Sequence, residues 1–331
     1  MGRGRLDRRD GIAAVGVYVE DWQPGFDSPY LVVTDDETEA AAVPVEDGDT
    51  LRAHPGRPDG DTRIAFVDGI RRVEATLYEV DDADGSIARG VAGAHGCGAV
   101  LAGGDGPPVF AEVQTSRELI FGSGRTVGLP ALPGGWAWRS RRIPSNQPDA
   151  PLAALQAAMR KIEAQVAEKL CADGWLTVLD GPVPYVRSSS LPMVGYVKSH
   201  HRMLLSPDLH AQVPPLLPVA TRSSLFAHSD RMSTYLRVAE PGRHAGPWSG
   251  IVRVELSHWD GVAAAAAVAD RLAALLPRYA GVSHRDSRAP QNMQPVGALE
   301  KHLRHLLGPA KLAVRAVRDA VSRIDRETQQ P

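Results

Sequence analysis

Two apolar runs of this chain close on the same dipeptide. "RIAFVDG" (residues 63–69) ends in Asp68-Gly69, and "WLTVLDG" (175–181) ends in Asp180-Gly181. A lone aspartate in such a place is usually a turn-former or a helix cap. Two of them, at the ends of segments apolar enough to be central strands, suit another task. Hard divalent ions such as Mg²⁺ or Mn²⁺ need several oxygens brought together from separate parts of a chain. A third carboxylate is available on the helical segment before the second run, as Glu163 or Glu168. Leu152, Leu155, Met159, Ile162, Val166 and Leu170 recur there at steps of three and four. At about 100° per residue, Glu163 falls roughly 55° from the centre of that apolar face and Glu168 roughly 165° away. Glu163 is therefore expected at the buried margin and Glu168 in solvent.

The elements that must position these groups follow from pattern. Residues 1–60 contain short apolar runs ("IAAVGVYVE", "PYLVVTDD") between Gly, Pro and Asp turns, and read as a β-rich N-terminal part. Four strand candidates span 63–122: "RIAFVD", "VEATLYEV", "SIARGVAGAHGCGAVLA" and "PVFAEVQTSRELIFG". Residues 123–150 read as a loop. A helix over about 151–170 follows, with Pro151 in its first turn and Asp149 as an expected cap. "WLTVLD" and "PMVGYVKSH" read as strands, the latter ending at Lys198. "STYLRVAE" and "GIVRVELSHW" read as an antiparallel pair, and "DGVAAAAAVADRLAALL" as a helix capped by Asp260. The stretch 295–326 is helical with a break at "LGPA". The expected architecture is one α/β body with a mixed sheet, flanking helices and a helical C-terminal part.

Composition narrows the class. The 331 residues are 43% hydrophobic and 23% charged, with a net charge of −2. No run approaches the roughly 20 apolar residues of a membrane span. The basic start "MGRGRLDRRDG" is followed by no apolar signal core, so no export is expected. Cys97 and Cys171 stand far apart, which argues against a disulfide framework and for a reducing cytoplasm. Contact with nucleic acid must come from local patches: Arg3, Arg5, Arg8 and Arg9; Arg139, Arg141 and Arg142; or Lys311, Arg315, Arg318, Arg323 and Arg326. Each cluster reads equally as solvated surface. "FGSGRTVG" lacks the Lys-Ser/Thr of a phosphate-binding loop, and no Gly-x-Ser-x-Gly elbow occurs. His200 and His201 are neighbours on a strand pattern and point to opposite faces. Arg237 and Arg253 sit mid-strand, where they either line a DNA groove or are ordinary strand-surface arginines.

The order Asp68-Gly69, Glu163, "LTVLDGPV" (176–183) and "VGYVKSH" (194–200) resembles the NurA nucleases, from about residue 60 to 310. "QNMQPVGALEKHLRHLLG" (291–308) is similar to the C-terminal segment of bacterial members. Pro182 stands where the family usually has Ser, and Gln294 where it has an active-site Tyr. The resemblance implies an RNase H-like core over 61–310, with 311–331 as a C-terminal helix and tail. It implies Mn²⁺ or Mg²⁺ held by Asp68, Glu163 and Asp180, and hydrolysis of DNA phosphodiesters by 5′–3′ exonuclease and single-strand endonuclease action. His302 takes the distal catalytic position by spacing, with Glu300 a rival for it. Lys198 is placed to hold a phosphate, and Arg253 is a candidate DNA contact. The implied partners are DNA, a HerA-type hexameric ATPase and a second copy of the chain. A non-catalytic DNA- or ATPase-binding adaptor, or a phage-defence nuclease, are the rival readings.

Overall fold

The computed structural model describes residues 15–19, 42–58, 60, 62–81, 83–104, 106–183, 192–198, 203–228, 230–242, 245–257 and 260–328. Arg3, Arg5, Arg8, Arg9, the "PYLVVTDD" run and the His200–His201 pair lie outside them, as does the Arg326 side chain. Three short strands come first: β1 (Val15–Val19), β2 (Val43–Pro44) and β3 (Ala53–Pro55). Three long ones follow as an antiparallel meander: β4 (Ile64–Asp81), β5 (Ile87–Ala102) and β6 (Val109–Phe121). The loop over 123–150 contains the edge strand β7 (Arg139–Arg142), and leads to helix α1 (Ala150–Ala172). Then come β8 (Leu176–Asp180), β9 (Met193–Val197), α2 (Pro207–Leu216), β10 (Thr221–Ser223), β11 (Phe226–His228), β12 (Arg231–Arg237) and β13 (Ile251–Ser257). The chain ends in α3 (Gly261–Leu275), α4 (Gln294–Leu306) and α5 (Ala310–Thr328). None of these helices is long and apolar enough to cross a membrane.

All thirteen strands join one mixed sheet, whose main path runs β2-β11-β12-β13-β9-β8-β4-β5-β6-β7. β8 is parallel to β4 and β9 is parallel to β8, while β12 and β13 form the expected antiparallel pair. Helix α1 covers one face through Leu155, Met159, Val166 and Leu170. α3, α4 and α5 cover the other. β5 is buried on both sides, and its run "GVAGAHGCGAV" has small residues for that reason. A Cβ added to Gly93 would sit 2.4 Å from a Leu155 methyl of α1, and one on Gly96 3.3 Å from Leu303 of α4.

Three local expectations are corrected. "RIAFVD" and "VEATLYEV" are a single strand, so Asp68-Gly69 lies inside β4 and not at its end. Antiparallel pairing with β5 carries β4 straight through the Asp-Gly signal, with one bulge between Val73 and Ala75. Only the parallel partner β8 stops there. Asp149 makes no side-chain cap: it takes helical dihedrals itself (φ −90°, ψ −12°), not the extended ones that aim a side chain at the first-turn amides. Asp260 forms no side-chain cap hydrogen bond either.

At the bulge, Glu74 has a fully buried carboxylate. It accepts from Arg72 at 2.7 Å and from Trp138 Nε1 at 2.8 Å, and Arg117 lies 3.4 Å away. The two arginines then donate to the carbonyls that end α4: Arg72 to Leu307 and Gly308, Arg117 to Leu307. α4, which carries Glu300, is thereby pinned to the long strands by its C-terminus.

Candidate metal centre

Parallel register makes Asp68 and Asp180 neighbours. Phe66 pairs with Val178 and Val67 with Leu179, which leaves Asp68 and Asp180 as the next step on adjacent strands. Side chains two apart share a face. Asp68 therefore follows Phe66, and Asp180 follows Val178, onto the side covered by α4. Glu300 of α4 meets them there. One carboxylate oxygen from each of Asp68, Asp180 and Glu300 lies within 4.8 Å of the other two.

The Asp180 end is shaped by two glycines. Gly181 turns at φ +113°, a value side-chain-bearing residues avoid, and its N–H donates to the Tyr196 carbonyl at 2.9 Å. The backbone of 181–183 then passes directly over Gly195, where a Cβ would fall 2.7 Å from Val183 N. Next to it, buried Tyr196 donates to the Gln291 carbonyl at 2.8 Å and ties down the segment before α4.

Electrostatics divides the carboxylates. Burial, reinforced by the charges of Asp180, Glu163 and Glu300, holds the Asp68 carboxyl well above the ordinary range against the pull of Lys198. Burial also raises Asp180, opposed by Lys198, whose ammonium sits 2.6 Å from Asp180 Oδ2. Glu300 goes the other way. Burial pushes it up, but the bidentate Arg288 fork at 2.8 Å and Arg304 at 2.9 Å leave it lowered. A polar chain runs outward from Lys198: its ammonium donates to Asn292 Oδ1 at 2.6 Å, Asn292 donates to Asp286, and Asp286 accepts from Arg288.

Glu163 is buried, 5% exposed, while Glu168 is half-buried, so the helix phase separated the two in the expected sense. Glu163 approaches from the α1 side of the sheet and accepts a backbone hydrogen bond from Gly69. Burial raises its carboxyl, opposed by Arg160 at 3.6 Å and reinforced by Asp180. It stands beside the Asp68–Asp180–Glu300 group without belonging to the tight triplet. Gly69→Ala would put a Cβ 2.6 Å from Glu163 Oε1 and 3.0 Å from Met159 Cγ. Only side-chain atoms, the Glu163 carboxylate and the flexible Met159 chain, have to yield, so this variant is expected to keep its fold and displace the Glu163 carboxylate. Titration calorimetry with Mn²⁺ should then show affinity lower by about 10- to 100-fold, the usual cost of losing a supporting group. Unchanged affinity would remove Glu163 from the centre.

The remaining candidates lie elsewhere or are otherwise engaged. His302 does not reach the carboxylates; its ring stacks on Phe110 with centroids 4.3 Å apart and planes 4° from parallel. Glu300, two residues before it, occupies the place at the aspartates. Its position was legible by the arithmetic applied to α1. Val296, Leu299, Leu303 and Leu307 define a buried face from which Glu300 lies about 55° and His302 about 105°. Arg253 donates to Glu255 at 2.7 Å within β13. Asn292, Asp286 and Arg288 carried no sequence signal, because their partners are distant in the chain.

The residues present fit a hard divalent cation. The donors are carboxylate oxygens from three separate elements. Asp180 Oδ1 is buried with no hydrogen-bond partner among the described residues, an acceptor of the kind that a cation satisfies. A second acidic group, Glu46–Asp47–His54, differs in this respect. Glu46 is engaged by the Arg222 fork and Leu225 N–H, and Asp47 by Ser224 and His54. No protein-family model matches the chain, and no curated protein matches it in sequence.

Proposed function

We propose that this protein is a Mn²⁺- or Mg²⁺-dependent deoxyribonuclease with an RNase H-like core, akin to the NurA nucleases. The observation that carries the reading is the convergence of Asp68, Asp180 and Glu300, with one Asp180 oxygen left for a cation. The topology supports the core assignment. A three-stranded antiparallel meander, a helix, and two parallel strands added beside the first give the spatial order β6-β5-β4-β8-β9, the strand arrangement of that fold.

The chemistry that a bound divalent ion supplies is acidification of water and neutralisation of charge on a leaving oxygen. Asp68, Asp180 and Glu300 would hold it, with Glu163 as a further anion beside them. Lys198 fixes Asp180 by its ion pair and through Asn292 links the centre to the segment before α4. Arg288 and Arg304 keep Glu300 ionised and oriented. Exonucleolytic 5′–3′ polarity, single-strand endonuclease action, pairing of two copies and a HerA-type ATPase partner rest on the resemblance between 60 and 310. The adaptor reading draws on Lys198 and the two arginines, which already compensate much of the acidic charge.

Labelled single-stranded DNA and blunt duplex, incubated with Mn²⁺, Mg²⁺ or EDTA, separate the two. Cleavage with either metal and none in EDTA is expected. Retained DNA binding with no cleavage under any metal would favour the adaptor.

A further inference from the structure

Beside the carboxylates opens a cavity of about 910 Å³, bounded by the start of β6, the 278–295 segment and the first turns of α4. Glu300 and Asn292, which belong to the metal centre, are among its lining residues, so the cavity lies against that centre. Five cations line it. Arg288 and Arg304 are spent on Glu300, but Arg278, Arg285 and Lys301 have exposed side chains and no ion-pair partner among the described residues. The acidic lining residues, Asp286 and Glu300, are both bound by arginine. The cavity thus presents a net positive wall to an incoming ligand. It also holds an unusual apolar group. Phe110 is 45% exposed, and His302 stacked in parallel behind it fixes the plane of the ring.

An open aromatic face beside uncommitted cations is the combination that takes unpaired nucleotides: bases stack on the ring and phosphates meet the charges. The volume is at the upper end of the range for ligand sites, about 300–1,000 Å³. We infer that this cavity is the subsite for an unpaired nucleotide of a single DNA strand, with its base on Phe110, its phosphate at Arg278 and Arg285, and His302 as the brace behind Phe110. The nuclease reading supplies the identity of the strand, whose adjoining phosphodiester would lie at the carboxylates. A base inside a duplex is stacked on both faces and a terminal one is held by its pair, so the subsite would favour single strands over duplex.

The test is equilibrium binding in EDTA, where no metal-dependent cleavage occurs. A fluorescein-labelled thymidine octamer and a labelled blunt duplex are titrated by anisotropy against wild type, Phe110→Ala, Phe110→Leu and Arg285→Glu. The octamer should bind Phe110→Ala and Phe110→Leu about 5- to 150-fold more weakly than wild type, as loss of one stacked base requires. The duplex should lose much less with either, while Arg285→Glu weakens the octamer through charge. Equal octamer affinity for wild type and Phe110→Leu, or no octamer binding by wild type, overturns the subsite. The nuclease reading stands or falls separately: Phe110-dependent binding without cleavage under any metal keeps the subsite and removes the nuclease, and metal-dependent cleavage with Phe110-independent binding does the reverse.

Discussion

Asp68→Asn is expected to abolish metal-dependent DNA cleavage and, in EDTA at neutral pH, to raise the melting temperature. The two effects share one cause. Asp68 is 7% exposed, faces Asp180 and Glu300, and is held well above the ordinary carboxyl range by burial and those like charges. Its ionised form is therefore a cost to the empty fold, and an amide of the same shape removes both the desolvation and the repulsion. Each kcal/mol relieved raises the melting temperature by roughly 1–2 °C in a chain of this length. The same charge is what a divalent cation needs, so activity should fall by about a thousandfold or more, a loss of several kcal/mol of transition-state stabilisation. Scanning calorimetry with EDTA and with Mn²⁺ checks both: wild type should gain stability with Mn²⁺ by mass action, and Asp68→Asn should not. A variant that is less stable than wild type in EDTA, or that retains the Mn²⁺ gain, would show that Asp68 serves the fold and not the cation.

Glu74→Ala is expected to cost about 3–5 kcal/mol of stability, the penalty for removing one partner from a buried ionic network. The Glu74 carboxylate is fully buried and serves Arg72, Arg117 and Trp138 together. Without it two guanidinium groups remain beside the α4 carbonyls with their charge uncompensated. Urea unfolding, compared with wild type at one pH, reads the loss through the midpoint and slope. The consequence for the centre is geometric. Arg72 and Arg117 hold the Leu307 and Gly308 carbonyls, and Glu300 lies two turns earlier on the same helix. A loss below about 1 kcal/mol would mean that these ion pairs add nothing to the fold beyond a surface pair.

Much of the centre was visible in local pattern. Helical periodicity places Glu163 inward and Glu168 outward, and in the helix at 150–172 Glu163 is buried while Glu168 is half-buried. The break at "LGPA" does separate α4 from α5. The same periodicity, applied to "VGALEKHLRHL", distinguishes Glu300 from His302, whereas alignment by spacing to a distant motif favoured His302. Strand ends are less legible in local pattern. Asp-Gly signals a turn by propensity, but the long β4–β5 ladder carried the chain through Asp68-Gly69. At Asp180 no such partner overrides the signal, and Gly181 takes the positive φ the turn requires.

By itself the sequence determined which carboxylates point inward from their own element, because that depends only on the periods of helix and strand. Apolar patterning also marked α1, β8, β9, β12, β13, α3 and the C-terminal helices in their order, but it split β4 in two and left α2, β7, β10 and β11 without a signal. The tertiary structure alone decided that β4 and β8 align Asp68 with Asp180, that α4 delivers Glu300 as the third acid, and that Lys198 is paired with Asp180. It decided too that Phe110 and His302, 192 positions apart in the chain, form one stacked pair, with Phe110 lining a cavity. Register between strands and the docking of helices are set by contacts among residues remote in the chain, and no local period encodes them.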